Sequence, residues 1–121
     1  MGVPEGAAIR AVVRAAQICD PEGKDSAVAA FIGRVPFHDT DTPMAIHDLR
    51  TELAEAVHDV DPDGDSPALA MTAATSAYLA GSHGESSVDD RELLRLAARA
   101  EFRGKPPEHV AGWLAERGVE T

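Results

Sequence analysis

Proline and glycine interrupt this chain at intervals and confine it to short helices. The segments 20–23 (Asp-Pro-Glu-Gly), 61–64 (Asp-Pro-Asp-Gly) and 104–107 (Gly-Lys-Pro-Pro) contain residues that do not readily continue a helix. Between these breaks, apolar residues recur every three or four positions, which is the spacing of amphipathic helices. The pattern predicts an all-α fold with about six helices, over 7–19, 26–34, 43–59, 67–80, 88–103 and 107–117.

The composition predicts one domain, residues 1–121, with a core of small aliphatic side chains. Hydrophobic residues make up 44% of the chain and charged residues 26%, the balance of a globular protein. Aromatic residues make up only 4%, so alanine, leucine, valine and isoleucine must fill the core. The segment 67–80 is apolar nearly all round, and a helix without a polar face usually lies in the middle of a bundle.

Two of the breaks repeat each other, which suggests a chain built from helical hairpins. The Asp-Pro-x-Gly segments at 20–23 and 61–64 are offset by 41 residues, and the Gly-Lys pair of the third break fits the same spacing more loosely. The candidate hairpins span 5–35, 43–82 and 87–118, and three such units are about the minimum for a stable stack. A compact bundle of six helices explains the same pattern without duplication, so both arrangements stay open.

The single cysteine and the absence of a targeting segment predict a cytoplasmic protein. Cys19 excludes an internal disulfide, and its place at the end of an apolar run favours a buried side chain over a reactive thiol. No basic region followed by an apolar segment, the pattern of a signal peptide, is present. The longest charge-free stretch, 66–84, is too polar for a good membrane span, so we expect no association with membranes.

Four arginines form a ridge on the fifth predicted helix. Arg91, Arg95, Arg99 and Arg103 recur at four-residue spacing and therefore share one helix face. Like charges at this spacing repel, so a chain that keeps four in line is predicted to use them to bind an anionic partner. The alternative is a solvated face relieved by acidic neighbours, with Glu92 pairing Arg95 and with Asp89 or Glu101 near Arg99.

The acidic residues are concentrated in the middle of the chain. The formal net charge is −10, and residues 41–88 hold nine acidic residues against Arg50 alone. The predicted acidic patch consists of Asp59, Asp61, Asp63 and Asp65. An acidic surface beside an arginine ridge suggests complementary surfaces that meet within one molecule, between copies, or with another protein.

The acidic patch also resembles the start of a calcium-binding EF-hand loop. The match fails at the ninth and twelfth positions, where Pro67 and Ala70 stand in place of oxygen ligands. A solvated acidic turn with weak cation binding is therefore the better interpretation. Five histidines are present, namely His38, His47, His58, His83 and His109, but no two have the spacing of a helical zinc pair. We expect no bound metal and no cofactor.

The sequence contains no catalytic signature. Neither a GxSxG nucleophile motif nor a glycine-rich phosphate loop is present. The loop residues His38, Asp39 and Asp41 could take part in acid–base chemistry, but nothing near them in the sequence supplies a nucleophile. We therefore expect a protein that is not an enzyme.

The fifth and sixth predicted helices resemble a DNA-binding helix-turn-helix over about 20 residues. The small, glycine and apolar positions of that motif are matched by Ala100, Gly104, Val110 and Trp113. Arg103 and Lys105 depart from it, because their positions are usually apolar. The second helix would offer Glu108, His109, Glu116 and Arg117 to DNA, a poor set for phosphate contact.

These features favour a non-enzymatic protein–protein interaction domain or regulatory subunit, with the arginine ridge and the acidic patch as its binding surfaces. A small helix-turn-helix DNA-binding regulator is the alternative, although a charge of −10 opposes binding to nucleic acid. A weak cation-binding module is the third possibility. The expected partner is another protein or a second copy of the chain.

Overall fold

A computed structural model of the protein describes residues 2–3, 7–34, 44–81 and 89–119. This part of the chain contains six α-helices: α1 (Ala7–Cys19), α2 (Ser26–Arg34), α3 (Ile46–Val60), α4 (Pro67–Gly81), α5 (Asp90–Phe102) and α6 (Glu108–Glu116). Two two-residue strands, β1 (Gly2–Val3) and β2 (Met44–Ala45), pair antiparallel. The predicted all-α fold class is confirmed.

Helices α3 and α5 begin later than predicted, and the other helix boundaries agree with the prediction to within one residue. Helix α3 begins at Ile46 and not at residue 43, because the two residues before it pair with β1. The Thr-Pro pair at 42–43, which is typical of a helix start, lies outside the described residues. Helix α5 runs from Asp90 to Phe102, although the prediction was 88–103. It ends early because Arg103 and Gly104 both have positive φ angles, 54° and 81°, which a right-handed helix cannot include.

Helix α4 lies at the centre of the bundle, as its apolar sequence predicts. It packs against each of the other five helices, and its side chains Leu69, Met71 and Leu79 are fully buried. The six helices therefore form a compact bundle around α4, which is one of the two arrangements that the sequence left open. With 15 residues α4 is shorter than a membrane span, and no helix in the described part of the chain is long and apolar enough to cross a bilayer.

The two sides of α4 belong to different parts of the core. Leu69 packs in a cluster with Val12 of α1 and Phe31 of α2, whereas Met71 packs in a second cluster with Leu94 of α5 and Trp113 of α6. A helix between two apolar clusters is shielded from water over most of its surface. This explains why the α4 sequence shows no amphipathic periodicity.

The turn between α1 and α2 and the turn between α3 and α4 have the same structure. Their residues correspond one by one at an offset of 41. The carboxylate of Asp20 accepts hydrogen bonds from the backbone N–H groups of Lys24 and Asp25, at 3.0 and 2.9 Å. The carboxylate of Asp61 accepts from Asp65 and Ser66, at 3.0 and 2.7 Å. Such side-chain bonds to nearby backbone donors stabilise a turn locally.

The glycines and helix starts of the two turns also match. Gly23 and Gly64 have φ angles of 66° and 69°, which favour glycine, and their N–H groups bond the carbonyls of the turn aspartates at 3.1 and 3.0 Å. Asp25 then caps α2 through Val28 N–H, and Ser66 caps α4 through Leu69 N–H, both at 3.2 Å. The turn before α6 differs, because it carries no aspartate and Pro107 makes no side-chain cap bond.

Helix α4 also carries three buried hydroxyl groups. Thr72 donates to the carbonyl of Ala68 at 2.8 Å, and Ser76 donates to the carbonyl of Thr72 at 2.7 Å. The Thr75 hydroxyl makes no hydrogen bond of acceptable geometry among the described residues, although the side chain is fully buried. An unsatisfied buried hydroxyl destabilises a fold.

Cys19 lies beside these hydroxyls and is buried, as predicted. Its side chain is only 2% exposed. Burial raises the pKa of the thiol to about 11, and the nearby Thr72 and Thr75 hydroxyls and the charge of Arg117 oppose that rise. The thiol is therefore protonated at neutral pH and is a poor nucleophile.

Replacing Thr75 with valine is expected to raise the free energy of unfolding by about 1 kcal/mol, because it removes an unsatisfied buried hydroxyl while keeping the side-chain shape. Thr72→Val is the matched control, since its hydroxyl is bonded, and it should be neutral or destabilising. Urea unfolding followed by circular dichroism measures both. A destabilised Thr75→Val variant would mean that the hydroxyl has a partner and would contradict the prediction.

Candidate functional site

The arginine ridge is shorter than its sequence spacing predicts. Arg91, Arg95 and Arg99 lie on α5, one turn apart, but α5 ends at Phe102. Arg103 follows the helix in a left-handed backbone conformation, and its N–H donates to the carbonyl of Arg99 at 2.9 Å. The helical ridge therefore contains three of the four predicted arginines.

Arg95 is paired with an acidic neighbour on its own helix. Its Nε donates to Oε2 of Glu92 at 3.0 Å, and a terminal guanidinium nitrogen donates to the other carboxylate oxygen. The bonds from Arg95 lower the pKa of Glu92 below its usual value. This confirms the predicted ion pair between Glu92 and Arg95, which reduces the repulsion between like charges on the arginine ridge. The pair is accessible to solvent, so it contributes little to stability.

Arg99 lacks the acidic partners suggested by the sequence, Asp89 and Glu101. Asp89 caps α5 by accepting from Glu92 N–H at 2.8 Å, and Glu101 pairs with Arg50 of α3 at 3.7 Å. Within the described residues Arg99 makes no ion pair, although its charge also lowers the pKa of Glu92. The proposed pairing of Arg99 was therefore wrong, and Arg99 is an exposed arginine without an ion pair among the described residues, as are Arg91 and Arg103.

Arg91 lies at the other end of the ridge, against the turn that follows α6. Its guanidinium is 3.3 Å from the point where a side chain at Gly118 would begin. It also lines a polar cavity of about 610 Å³ between the ends of α1 and α6 and the start of α5. Four acidic residues line this cavity together with Lys24, Arg91 and Arg117. Because both charge signs are mixed there, the cavity favours neither anions nor cations.

Within the acidic patch, Asp61 has a structural role. Hydrogen bonds from the N–H groups of Ser66 and Asp65 lower the pKa of its carboxyl group, with a smaller contribution from the charge of His109. Asp59, Asp63 and Asp65 are exposed. No three histidine, cysteine, aspartate or glutamate groups in the described part of the chain are placed to share a metal ion. The loop with His38, Asp39 and Asp41 lies outside the described residues.

An open apolar groove lies over α4, and the sequence interpretation missed it. Its volume is about 430 Å³. Helix α4 contributes four alanines to the groove, α3 contributes Leu53, Ala54 and Val57, and α5 contributes Phe102. The alanines, Ala70, Ala73, Ala74 and Ala77, follow helical spacing and form one stripe of α4. Such a stripe indicates a packing face, but the sequence does not show whether another helix covers it.

Charged residues surround the groove. The ion pair between Arg50 and Glu101 joins α3 to α5, and both side chains are about half exposed. His58, Asp61 and Asp63, with Pro62 and Gly64, line the groove from the end of α3 and the turn that follows it. The acidic patch and the groove are therefore parts of one surface. Chemically, this surface can bury apolar side chains and pair with cationic groups at its rim.

The residues of the helix-turn-helix resemblance differ in burial. Val110 and Trp113 are buried, but Ala100 is exposed. Helices α5 and α6 each pack on α4 and contact each other sparsely. In a helix-turn-helix the two helices form a single motif that places the second one in the major groove. The geometry therefore gives this alternative little support.

Comparison with protein-family models, with curated proteins and with solved structures finds no match for this chain. No functional residues can be carried over from a known family. The groove, the acidic patch and the arginine ridge are the features of the chain that bear on its function.

Proposed function

We propose that this chain is a non-enzymatic protein–protein interaction domain or regulatory subunit, and that the groove over α4 is its main recognition surface. The observation that carries the proposal is the apolar groove of about 430 Å³ between α3, α4 and α5, whose floor is partly exposed at Ala70 and Ala73. Several residues that line it are exposed, including Arg50, Ala54, His58 and Asp63. Small-molecule sites usually bury about 70–90% of their ligand, so a groove this open better suits part of another protein.

The chemistry of the lining residues also favours binding over catalysis. The described residues that line the groove include no serine, cysteine or lysine that could act as a nucleophile. The carboxylate of Asp61 is already engaged by two backbone N–H groups, so it is poorly suited to act as a general base. A binding surface needs neither group.

The arginine ridge is a second candidate surface in this proposal. Arg91, Arg99 and Arg103 are exposed and make no ion pair among the described residues, whereas the charge of Arg95 is paired with Glu92. We propose that the ridge contacts an acidic region of a partner. A cytoplasmic location belongs to the same proposal and is supported by the single buried cysteine.

The groove is tested by filling it. Ala54 lines the groove and is exposed, so Ala54→Trp should block binding without disturbing the core. Ala29→Trp is the matched control, because Ala29 is exposed on α2 and does not line the groove. The measurement is affinity capture from the source cells, with mass spectrometry and a nuclease-treated sample.

Partners that Ala29→Trp retains and Ala54→Trp loses would support the proposal. Retention of every partner by Ala54→Trp would contradict it, and partners lost on nuclease treatment would favour the DNA-binding alternative. In the same capture, Arg95→Glu/Arg99→Glu tests the ridge. If that variant also retains every partner, the ridge is only a solvated face.

A further inference from the structure

We infer that the groove receives a single cationic amphipathic α-helix from a partner protein. This inference rests on the proposed function and specifies its ligand. Three properties of the groove support the inference: the secondary structure of its walls, the size of its floor and the charge around its rim.

The walls of the groove require a ligand that satisfies its own backbone. The groove is formed by α3, α4 and α5, whose N–H and C=O groups in the helix interiors are bonded within each helix. None of the described residues that line it belongs to a strand, and an extended peptide lying there would bury backbone groups without partners. A helix bonds its own backbone internally, so it can present an apolar face to such a groove.

The length of the groove floor sets the length of the partner helix that can contact it. Four alanines form it, of which Ala70 and Ala73 are partly exposed and Ala74 and Ala77 are buried, and from Ala70 to Ala77 a helix rises by about 10 Å, or two turns. Because these side chains are short, a second helix can approach α4 closely. The matching ligand has apolar residues at positions i, i+3 or i+4, and i+7 along one face.

The rim gives the charge of the ligand. Among the described residues that line the groove, Asp61, Asp63 and Glu101 are acidic and Arg50 is basic, and the charge of Arg50 is already paired with Glu101. Asp61 is engaged with the backbone, so Asp63 is the carboxylate in the groove lining that is most available to a partner. A net charge of −10 on the chain adds a long-range attraction for cations. Lysine or arginine beside the apolar face of the ligand complements this rim.

A second copy of this chain fits the groove poorly. Val13 is the one large hydrophobic side chain that is exposed among the described residues, and it lies between Arg10 and Arg14 on α1. One valine cannot provide an apolar stripe of two turns. Two copies would also repel each other through their net charges. The occupant is therefore assigned to a different protein.

The test uses the full chain and a synthetic peptide of about 16 residues that carries leucines on one helical face and lysines beside them. Two control peptides are a scrambled version, which lacks the apolar face, and a version with glutamate in place of each lysine. We expect the amphipathic lysine peptide to bind at least about tenfold more tightly than either control by fluorescence anisotropy, and to gain helicity in circular dichroism.

Protein variants then locate the bound peptide. Ala54→Trp should weaken binding by about tenfold or more, whereas Ala29→Trp should leave it unchanged. Asp63→Lys should weaken binding of the lysine peptide and strengthen binding of the glutamate peptide. Equal binding of the scrambled peptide would show unspecific charge attraction and would overturn the inference, as would tighter binding of the glutamate peptide.

The two proposals can fail separately. If no peptide binds but Ala54→Trp still loses its captured partners, the groove is an interaction surface and the helix assignment is wrong. If Ala54→Trp changes neither peptide binding nor capture, both proposals fail. Sedimentation of the protein alone covers the remaining occupant, because self-association that Ala54→Trp abolishes would assign the groove to a second copy and overturn the inference.

Discussion

Leu69→Ala should lower the free energy of unfolding by about 3–5 kcal/mol, the upper part of the range for a buried leucine. Leu69 is fully buried on α4 and packs in the cluster that contains Val12, Phe31 and Leu53 from three other helices. Because α4 contacts all five remaining helices, they also hold it in place and prevent it from moving into the cavity that the substitution leaves. The free-energy cost of the cavity therefore adds to the hydrophobic free energy that is lost with the removed atoms of the leucine side chain.

Leu96→Ala is the matched control for this prediction. Leu96 lies on α5 and is only partly buried, so its loss should cost less than about 1.5 kcal/mol. Urea unfolding followed by circular dichroism gives both values. If the two variants lost similar stability, α4 would not be the centre of the packing. Since domains are stable by about 5–15 kcal/mol in total, the expected loss for Leu69→Ala is a large fraction of the whole.

The central position of α4 could be predicted from the sequence because burial leaves a direct trace in composition. A helix that touches water on one side needs polar residues there, and residues 67–80 have no charged side chain. The turns before α2 and α4 were equally predictable, since proline and glycine act locally and need no tertiary contact to end a helix. The burial of Cys19 was also predictable, because this residue lies at the end of an apolar run.

The groove could not be predicted, because it depends on how far apart helices lie that are distant in sequence. The alanine stripe of α4 would have the same sequence whether or not a helix covered it. The Arg50–Glu101 pair was missed for a related reason, since its members lie on α3 and α5 and share no local pattern. Helical periodicity reports which face of a helix is apolar, but not what packs on that face.

The arginine ridge shows the limit of spacing arguments within a single helix. Four-residue spacing places side chains in line only while the helix continues, and Arg103 lies just past its end. Gly104 marked a possible end, but the left-handed conformation of Arg103 is unusual for a residue with a side chain and has no sequence signal. Local ion pairing was predictable for Arg95, whose partner Glu92 is three residues away on the same helix.

The repeated turn leads to the second large expected effect. Asp20→Ala and Asp61→Ala should each lower the free energy of unfolding by about 1–1.5 kcal/mol, because each removes two hydrogen bonds from a carboxylate to backbone N–H groups near the surface. The two turns belong to different hairpins and share no hydrogen-bond partner, so the double variant should lose about 2–3 kcal/mol. Urea unfolding of the two single variants and the double variant measures this.

Asp63→Ala is the control, since Asp63 lies in the same turn as Asp61 but is exposed and makes no hydrogen bond through its carboxylate among the described residues. It should change stability by less than about 0.5 kcal/mol. Hydrogen bonding lowers the pKa of Asp61 from its ordinary value of 3.8, so its contribution is present above that pH and is lost as the pH falls through the lowered value. The deficit of Asp61→Ala relative to the unmodified protein should therefore be largest near neutral pH and should shrink in acid. A deficit that does not depend on pH would show that the carboxylate charge has no part in holding the turn.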